Sequence, residues 1–529
     1  MTAHLAELVS RAAAGSGDRV ALVEASTGRR TTWAELDAEV DRVAQGLNAM
    51  GLVAGYRVLL ALANRTELVT LYLGILRAGL VAVPVNPRST TGELARMTAD
   101  SGARLVVADA STATTVRQAV AGIEDALAAD DPPPGAVLPR VAVVGTRALP
   151  GETTYDDLVG ARGAWAPLSV DPERLAVLLY TSGTSGRPRA AMLTHRALLA
   201  NVEQNAEVEP PMLTPDDVVL GVLPLYHVYG LNAVLGQVLR QQARLVVVDG
   251  FDMEDSLSVI EDEAVTVLPV APPVFAYWQA VPDLGERLSG VRLVLSGSAP
   301  LSPELVDTFT GRTGIEVHQG YGLTEAAPVV TSTLRSAHPK RGSVGAALPG
   351  IELRLVDERG EAPEGEDAGE IELRGDNLFS GYWPDGDDGP DAQGWYATGD
   401  VGFLDPDGDL FLVDRVKELV IVSGFNVYPS EVEEVLAEVD GVAEVAVIGA
   451  EDPRTGETVV AYLRPSAEAA GDPDALTARV REHAGVRLAR FKQPTQLYVV
   501  GELPHTGTGK VAKGLLRAGQ RRRSGLLES

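Results

Sequence analysis

Between residues 32 and 50 the apolar side chains Leu36, Val40, Val43 and Leu47 recur every three or four positions, which places them on one face of a helix. Short β-rich runs follow at 57–62 and 81–85, and similar runs return at 105–108, 141–144, 245–248, 265–270 and 291–296. Helical and strand patterns in alternation predict α/β layers built on parallel strands. After residue 350 the texture changes to short strands at 352–356, 370–374 and 410–413, separated by turn residues such as Asp405-Pro406-Asp407-Gly408, which predicts a β-rich subdomain. Pro429-Ser430 opens a further helix: Ser430 and Glu433 have the spacing of a capping box, and Val432, Val435 and Leu436 form an apolar face. The acidic, proline-rich stretch 128–135 has the composition of a surface loop, and no internal repeat is present.

A chain of 529 residues exceeds what one hydrophobic core usually supports. With a boundary placed at 414, the expected fold class is α/β: a large N-terminal domain, 1–414, of αβ-layered subdomains plus the β-rich subdomain, and a small C-terminal α+β domain, 415–529. The apolar stretches 71–85 and 218–239 are broken by Arg77 and by Pro224 with His227, so they read as buried elements and no transmembrane segment is expected.

Charge and cysteine content narrow the chemistry. Forty-five Lys and Arg against 73 Asp and Glu leave a formal charge of −28, a field that disfavours nucleic acid and anionic membranes. An anionic substrate must therefore meet local cations or backbone N–H groups. The absence of cysteine excludes disulfides, thiolate metal sites and a cysteine nucleophile, so the sulfur of any thioester comes from another molecule. Residues 1–10 lack a basic stretch followed by an apolar core, and the expected location is cytoplasmic.

The segment most directly informative about chemistry is Tyr180-Thr181-Ser182-Gly183-Thr184-Ser185-Gly186-Arg187-Pro188-Arg189, which follows an apolar run at 175–179. Its glycines let backbone N–H groups turn toward a phosphate, its hydroxyls add donors, and Arg189 offers a charged fork. The spacing is not that of a Walker A loop. A hydroxyl-rich surface turn is the alternative reading of the same residues.

This loop resembles the signature of the adenylate-forming superfamily of acyl-CoA synthetases, nonribosomal adenylation domains and luciferases. The resemblance continues in the family's order through Leu223-Pro224-Leu225-Tyr226-His227, Ser296-Gly297-Ser298-Ala299-Pro300 and Gly320-Tyr321-Gly322-Leu323-Thr324-Glu325. Next come Tyr396-Ala397-Thr398-Gly399-Asp400, Asp414-Arg415-Val416-Lys417, Ser423-Gly424-Phe425-Asn426-Val427-Tyr428-Pro429 with Glu431, and Gly507-Thr508-Gly509-Lys510. It implies ATP, Mg²⁺ and coenzyme A as reactants and cofactor, with the small domain mobile.

The resemblance also assigns roles. Thr181 to Gly186, Arg189, Ser298, Ala299, Pro300, Gly320, Tyr321, Gly322, Thr324, Asp400, Arg415 and Lys510 are expected around ATP or AMP. Glu325 and Thr184 are expected to hold Mg²⁺; Lys510, Glu325, Thr184 and Arg189 are the expected catalytic groups. Asp400 suits the two ribose hydroxyls, as the ribose-binding acid does in dinucleotide folds. Lys417 falls at the hinge, Ser423, Gly424 and Phe425 at the CoA tunnel, and His227, Val270 and Gly320 at the acyl pocket. His227 is expected to line that pocket or gate it rather than act as a base. The Arg521-Arg522-Arg523 run has no assigned role and is expected to be exposed.

Two departures stand out: the phosphate-loop lysine is Arg189, and the following glycine is Ala190. Within the family, a nonribosomal module would carry a carrier domain, and a luciferase would carry lysines where Ile421 and Ser423 stand. A sensor without activity would have lost Glu325, Asp400 or Lys510. The expected reaction is activation of a fatty or aryl monocarboxylic acid to acyl-AMP and transfer to coenzyme A. The alternative is a stand-alone acyl-AMP ligase delivering the acyl group to a carrier-protein thiol, although 325–400 shows no insertion of the kind that blocks CoA in that group. Malonate-using relatives carry an arginine where this chain has Gly320, so a monocarboxylate is expected, with Gly320 leaving room for its chain.

Overall fold

The computed structural model describes residues 4–129, 135–161, 171–182, 188–298, 301, 303–357, 361–362, 369–415, 420–427, 429–466, 469, 471–504, 511, 513, 516–517 and 520. The chain forms two compact units, one of Met1–Pro87, Leu94–Tyr180 and Ala190–Asp414, the other of Arg88–Glu93, Thr181–Arg189 and Arg415–Ser529.

Two seven-stranded sheets dominate the larger unit. One runs, in spatial order, Val317–Gln319, Leu293–Ser296, Val267–Val270, Val218–Gly221, Arg244–Val247, Val20–Glu24 and Arg29–Thr32, with every neighbour parallel except the last pair. The other runs Thr153–Thr154, Arg140–Val144, Leu105–Asp109, Arg57–Ala61, Val81–Pro84, Leu175–Ser182 and Pro188–Thr194. Both sheets are covered on both faces, as parallel sheets require. Val58, Leu60 and Val219 join the central core with Trp33, Leu36 and Val43, whereas Leu59 and Ala61 face a second cluster and Val218 and Leu220 a third. The period of two along each strand thus divides its side chains between a shared inner layer and separate outer helices.

The expected helix over 32–50 is Trp33–Ala49, and its start is fixed by Thr32, whose hydroxyl accepts from Glu35 N while Glu35 returns the bond to Thr32 N. Leu36, Val40, Val43 and Leu47 are all fully buried on it. The apolar runs 71–85 and 218–239 are interior elements, and no described helix is long and apolar enough to cross a membrane. The β-rich subdomain is a four-stranded sheet in the order Glu352–Val356, Gly369–Arg374, Tyr396–Leu404, Leu410–Arg415.

The smaller unit carries a five-stranded sheet, with the hairpin Val442–Asp452 and Gly456–Pro465 at its centre and helices Pro429–Ala437 and Pro473–Arg487 packed on it. The expected capping box rests on the Ser430 side chain, which lies outside the described residues. The helix begins at Pro429, so the main chain of Ser430 lies in its first turn, and the Glu433 carboxylate accepts from Val447 N at 2.6 Å. The 130–134 part of the expected surface loop and Arg521-Arg522-Arg523 lie outside the described residues.

A buried histidine pair fastens the N-terminus to the central layers. The rings of His4 and His195 stack at 4.0 Å, His4 Nε2 lies 2.8 Å from Leu76 O, and Leu5 N donates to His195 Nδ1. Burial lowers His4 to about 4; burial, then the neighbouring His4, lowers His195 to about 2. Arg77, which donates to Ala6 O, and Arg174 add to the cost of protonation. Both folded values lie below the ordinary 6.5, so the neutral pair's contribution is complete above pH 6.5 and is lost as the pH falls toward 4. Urea denaturation between pH 7.5 and 5 is expected to show stability falling by up to about 1.4 kcal/mol per pH unit for each histidine. His195→Gln is expected to flatten that slope; an unchanged slope contradicts the assignment.

Candidate active site

Four adjacent parallel strands, Val317–Gln319, Leu293–Ser296, Val267–Val270 and Val218–Gly221, end at the same edge of their sheet. From these carboxyl ends emerge Gly320-Tyr321-Gly322, Gly297-Ser298, Ala271 and the Leu223–His227 segment, so motifs about a hundred residues apart converge by topology. Crevices at the carboxyl ends of strands are where open α/β sheets bind ligands. Ser298 is held at a positive φ of 75°, uncommon for a side-chain-bearing residue.

Glu325 lies in a single 3₁₀ turn, Thr324–Ala326, and is 8 % exposed. Its main chain is gripped from several directions. Phe379 N donates to Glu325 O at 2.9 Å, Asn377 Nδ2 to Ala326 O at 2.7 Å and Asn232 Nδ2 to Ala327 O at 2.7 Å. Asn201 closes the turn by donating to Val329 O and accepting from Val329 N. The carboxylate itself accepts from the Tyr382 phenol, Oη to Oε1, at 2.6 Å. Burial, and next the Glu325 charge, push the Tyr382 phenol far up, so it stays a neutral donor.

Tyr321, four residues before Glu325, donates through Oη to Asp400 Oδ2 at 2.6 Å. Asp400 belongs to strand Tyr396–Leu404, is 7 % exposed, and its N–H donates to Thr398 Oγ1, which in turn donates to Ile371 O. One turn thus carries Glu325 and also orients Asp400 from the β-rich sheet.

His227 precedes a π-helix, Tyr229–Gly236. Burial lowers His227 to about 4, so the imidazole is neutral at physiological pH. The Tyr229 ring lies against Gly297, 3.1 Å from where a Cβ would stand. Val270 is buried at the end of its strand. Asn64, on the loop after strand Arg57–Ala61 of the other sheet, donates to Leu223 O and accepts from Leu225 N, fixing the segment that leads to His227.

Gly320 is set by its surroundings rather than by the room it leaves. A Cβ there would lie 2.6 Å from Thr331 O, so main chain leaves no room for a side chain in that direction.

Strand Leu175–Ser182 enters the expected phosphate loop and Pro188–Thr194 leaves it; Thr181 Oγ1 donates to Arg189 O at 3.4 Å, and Arg189 is half-buried. Gly183, Thr184, Ser185, Gly186, Ala299, Pro300, Lys417 and Lys510 lie outside the described residues, as do the side chains of Ser182 and Arg415. In the smaller unit Ser423 and Gly424, at φ 52° and 81°, form the two-residue turn of the hairpin Val420–Val422 and Phe425–Val427. Two consecutive positive φ values are the signature of a type I′ turn, which accounts for glycine at 424. Phe425 stacks on Phe491 at 4.6 Å.

Asn64, Asn201, Asn232, Asn377 and Tyr382 were not among the residues expected from the sequence. Asn232 alone gives a local signal, a polar residue inside the apolar run Tyr229-Gly230-Leu231-Asn232-Ala233-Val234; the others stand in mixed segments that single none of them out.

A family model described as AMP-binding enzyme matches residues 9–383, and one for the AMP-binding enzyme C-terminal domain matches 431–510. The chain belongs to the AMP-binding enzyme family. It is 32 % identical over 516 residues to 4-coumarate–CoA ligase 3 of Oryza sativa subsp. japonica, covering 95 % of this chain and 89 % of that one. Among solved structures, a double mutant of the o-succinylbenzoate CoA synthetase from Bacillus subtilis, bound to a product analogue, superposes with a TM-score of 0.81 at 26 % identity, covering 97 % of this chain and 98 % of that one. The amide bond synthetase from Marinactinospora thermotolerans gives 0.83 at 27 % identity, covering 97 % and 99 %. This AMP-binding enzyme is an ATP-dependent, AMP-forming acid–thiol ligase, a CoA ligase by relationship, which converts a carboxylic acid to its acyl-adenylate and then to a thioester.

Because the Gly320 Cβ direction points at main chain, Gly320→Ala is expected to cost roughly 1–3 kcal/mol of stability, as overpacking typically does. Gly320→Arg is expected to be worse and to gain no activity on dicarboxylates. Thermal denaturation with a malonate assay checks both; a stable Gly320→Arg enzyme that accepts malonate shows that the Thr331 main chain yields.

Proposed function

We propose that this enzyme activates an aromatic monocarboxylic acid of the arylpropenoic type and transfers the acyl group to coenzyme A. The observation that carries the reading is the Tyr321–Glu325 turn, where a buried carboxylate and the Tyr321–Asp400 pair stand at the carboxyl ends of four parallel strands. Similarity to a 4-coumarate–CoA ligase along nearly the whole chain favours an arylpropenoic acid over a fatty acid. The neutral His227 favours a single carboxylate, because it supplies no cation to pair with a second.

In this reading Asp400, oriented by Tyr321, accepts from the ribose hydroxyls, and the backbone and hydroxyls of 181–186 with Arg189 surround the phosphates. The acid's carboxylate oxygen forms a bond to the α-phosphorus as the bond to the β-phosphate oxygen breaks and pyrophosphate leaves. Lys510 offsets the charge developing there. The CoA sulfur then attacks the acyl carbon, the bond to the AMP oxygen breaks, and the thiol proton passes to solvent. Positioning and electrostatics carry most of the rate. Lys417 serves as the hinge and Ser423, Gly424 and Phe425 line the thiol's approach.

A divalent cation fits the donor set. Mg²⁺ is usually bound through one or two carboxylates together with substrate phosphates, and the buried Glu325 carboxylate would be the protein's share. Thr184 is the second proposed contact. When bound, Mg²⁺ offsets phosphate charge. The protein is proposed to act in the cytoplasm.

Pyrophosphate release is expected with 4-coumarate or cinnamate and ATP, accelerated by CoA, and to be at least tenfold weaker with octanoate, palmitate or succinate. Preference for a fatty acid would overturn the aryl assignment alone, whereas no pyrophosphate with any acid would overturn the adenylation roles.

A further inference from the structure

The Tyr382 phenol reaches Glu325 from a segment that is fixed independently. Ser380 N donates to Met192 O at 3.0 Å, Met192 N to Gly381 O at 3.1 Å and Trp383 N to Ala190 O at 2.8 Å, so 380–383 is laced to the chain just downstream of the phosphate loop. Tyr382 N donates to Asp387 O and Tyr382 O accepts from Gly386 N, closing a tight turn behind the ring. Phe379 packs edge-on against Tyr382 at 5.1 Å and against Tyr396 at 5.0 Å. Phe379 N also donates to Glu325 O, so this segment holds Glu325 by its main chain and by its carboxylate.

We propose that Tyr382 is a positioning residue for adenylation: its phenol fixes Glu325 Oε1 so that the carboxylate meets the metal–nucleotide in one orientation, set by the chain at Ala190 and Met192. The inference rests on the reading of Glu325 as the metal carboxylate. Three features distinguish it from a phenol that merely satisfies a buried acid. The donor is short and charge-assisted. Its ring is oriented by aromatic and main-chain contacts that do not involve the carboxylate. Its anchor is the strand Pro188–Thr194, through the main chain of Ala190 and Met192, so the phenol is placed by a framework other than the turn that carries Glu325. Partners of metal ligands set ligand orientation, and their loss commonly weakens metal binding ten- to a hundredfold.

The test is Mn²⁺ binding to the intact protein in the presence of a non-hydrolysable ATP analogue, followed by electron paramagnetic resonance, for wild type, Tyr382→Phe, Glu325→Gln and the double variant. Tyr382→Phe is expected to weaken Mn²⁺ binding about 10- to 100-fold, with metal-free nucleotide binding unchanged. Glu325→Gln is expected to weaken it at least as much, and the double variant no further than Glu325→Gln alone. In turnover, Tyr382→Phe raises the Mg²⁺ requirement while kcat at saturating Mg²⁺ stays within a few fold. Tyr382→His keeps a ring N–H donor and is expected to recover most of the affinity; it also supplies the readout if the Phe variant does not fold, since a His variant as weak as Glu325→Gln contradicts the proposal. Unchanged Mn²⁺ affinity in Tyr382→Phe, or a further loss in the double variant, overturns the role of Tyr382. If Glu325→Gln leaves Mn²⁺ affinity unchanged, the metal assignment of Glu325 fails instead.

Discussion

Satisfying the buried Glu325 carboxylate and the short turn that carries it is the constraint on which the candidate site depends. Glu325 is 8 % exposed, and a buried carboxylate is tolerable only where donors replace water. The Tyr382 phenol supplies one such donor, and the surrounding carboxamides satisfy the carbonyls of a turn too short to satisfy its own. Those donors come from helix His195–Ala206, from the π-helix and from the strand-poor segment near 377, elements distant in sequence. Removing any of them leaves a polar group without a partner, so the turn and its supports are interdependent.

Sheet topology explains why the turn stands where chemistry can use it. Four parallel strands deliver Leu223–His227, Val270, Gly297-Ser298 and Gly320–Gly322 to one edge, and the sheet interior gives each a rigid base. The close approach of the Thr331 main chain to Gly320 joins the last of these to the strand that follows. Tyr321 then links the same turn to Asp400 of the β-rich sheet, so the Glu325 and Asp400 carboxylates share one support.

Much of this was readable from residues alone. The helix face Leu36, Val40, Val43, Leu47 and the Thr32–Glu35 cap are local patterns, and they survive because helix periodicity and capping need only neighbours in sequence. The order of motifs likewise identified the chemistry. What escaped was non-local. Glu433 and Ser430 have capping spacing, yet Glu433 is claimed by Val447 N. Glycine at 320 has a second cause that no local pattern shows, since the main chain of Thr331, eleven residues later, stands where a Cβ would be. Tyr382 and the asparagines carry no motif, because a hydrogen-bond partner chosen across the fold leaves no periodic trace in sequence.

The central claim is that the acid is activated by attack of its own carboxylate on the α-phosphorus of ATP. Carrying out one turnover with 4-coumarate labelled with ¹⁸O at both carboxylate positions, ATP and CoA, and analysing the products by mass spectrometry, tests it most directly. The account predicts one ¹⁸O in AMP and one retained in the thioester, with none in pyrophosphate. Label in inorganic phosphate with ADP as the nucleotide product, or thioester formation with unlabelled AMP, would contradict it.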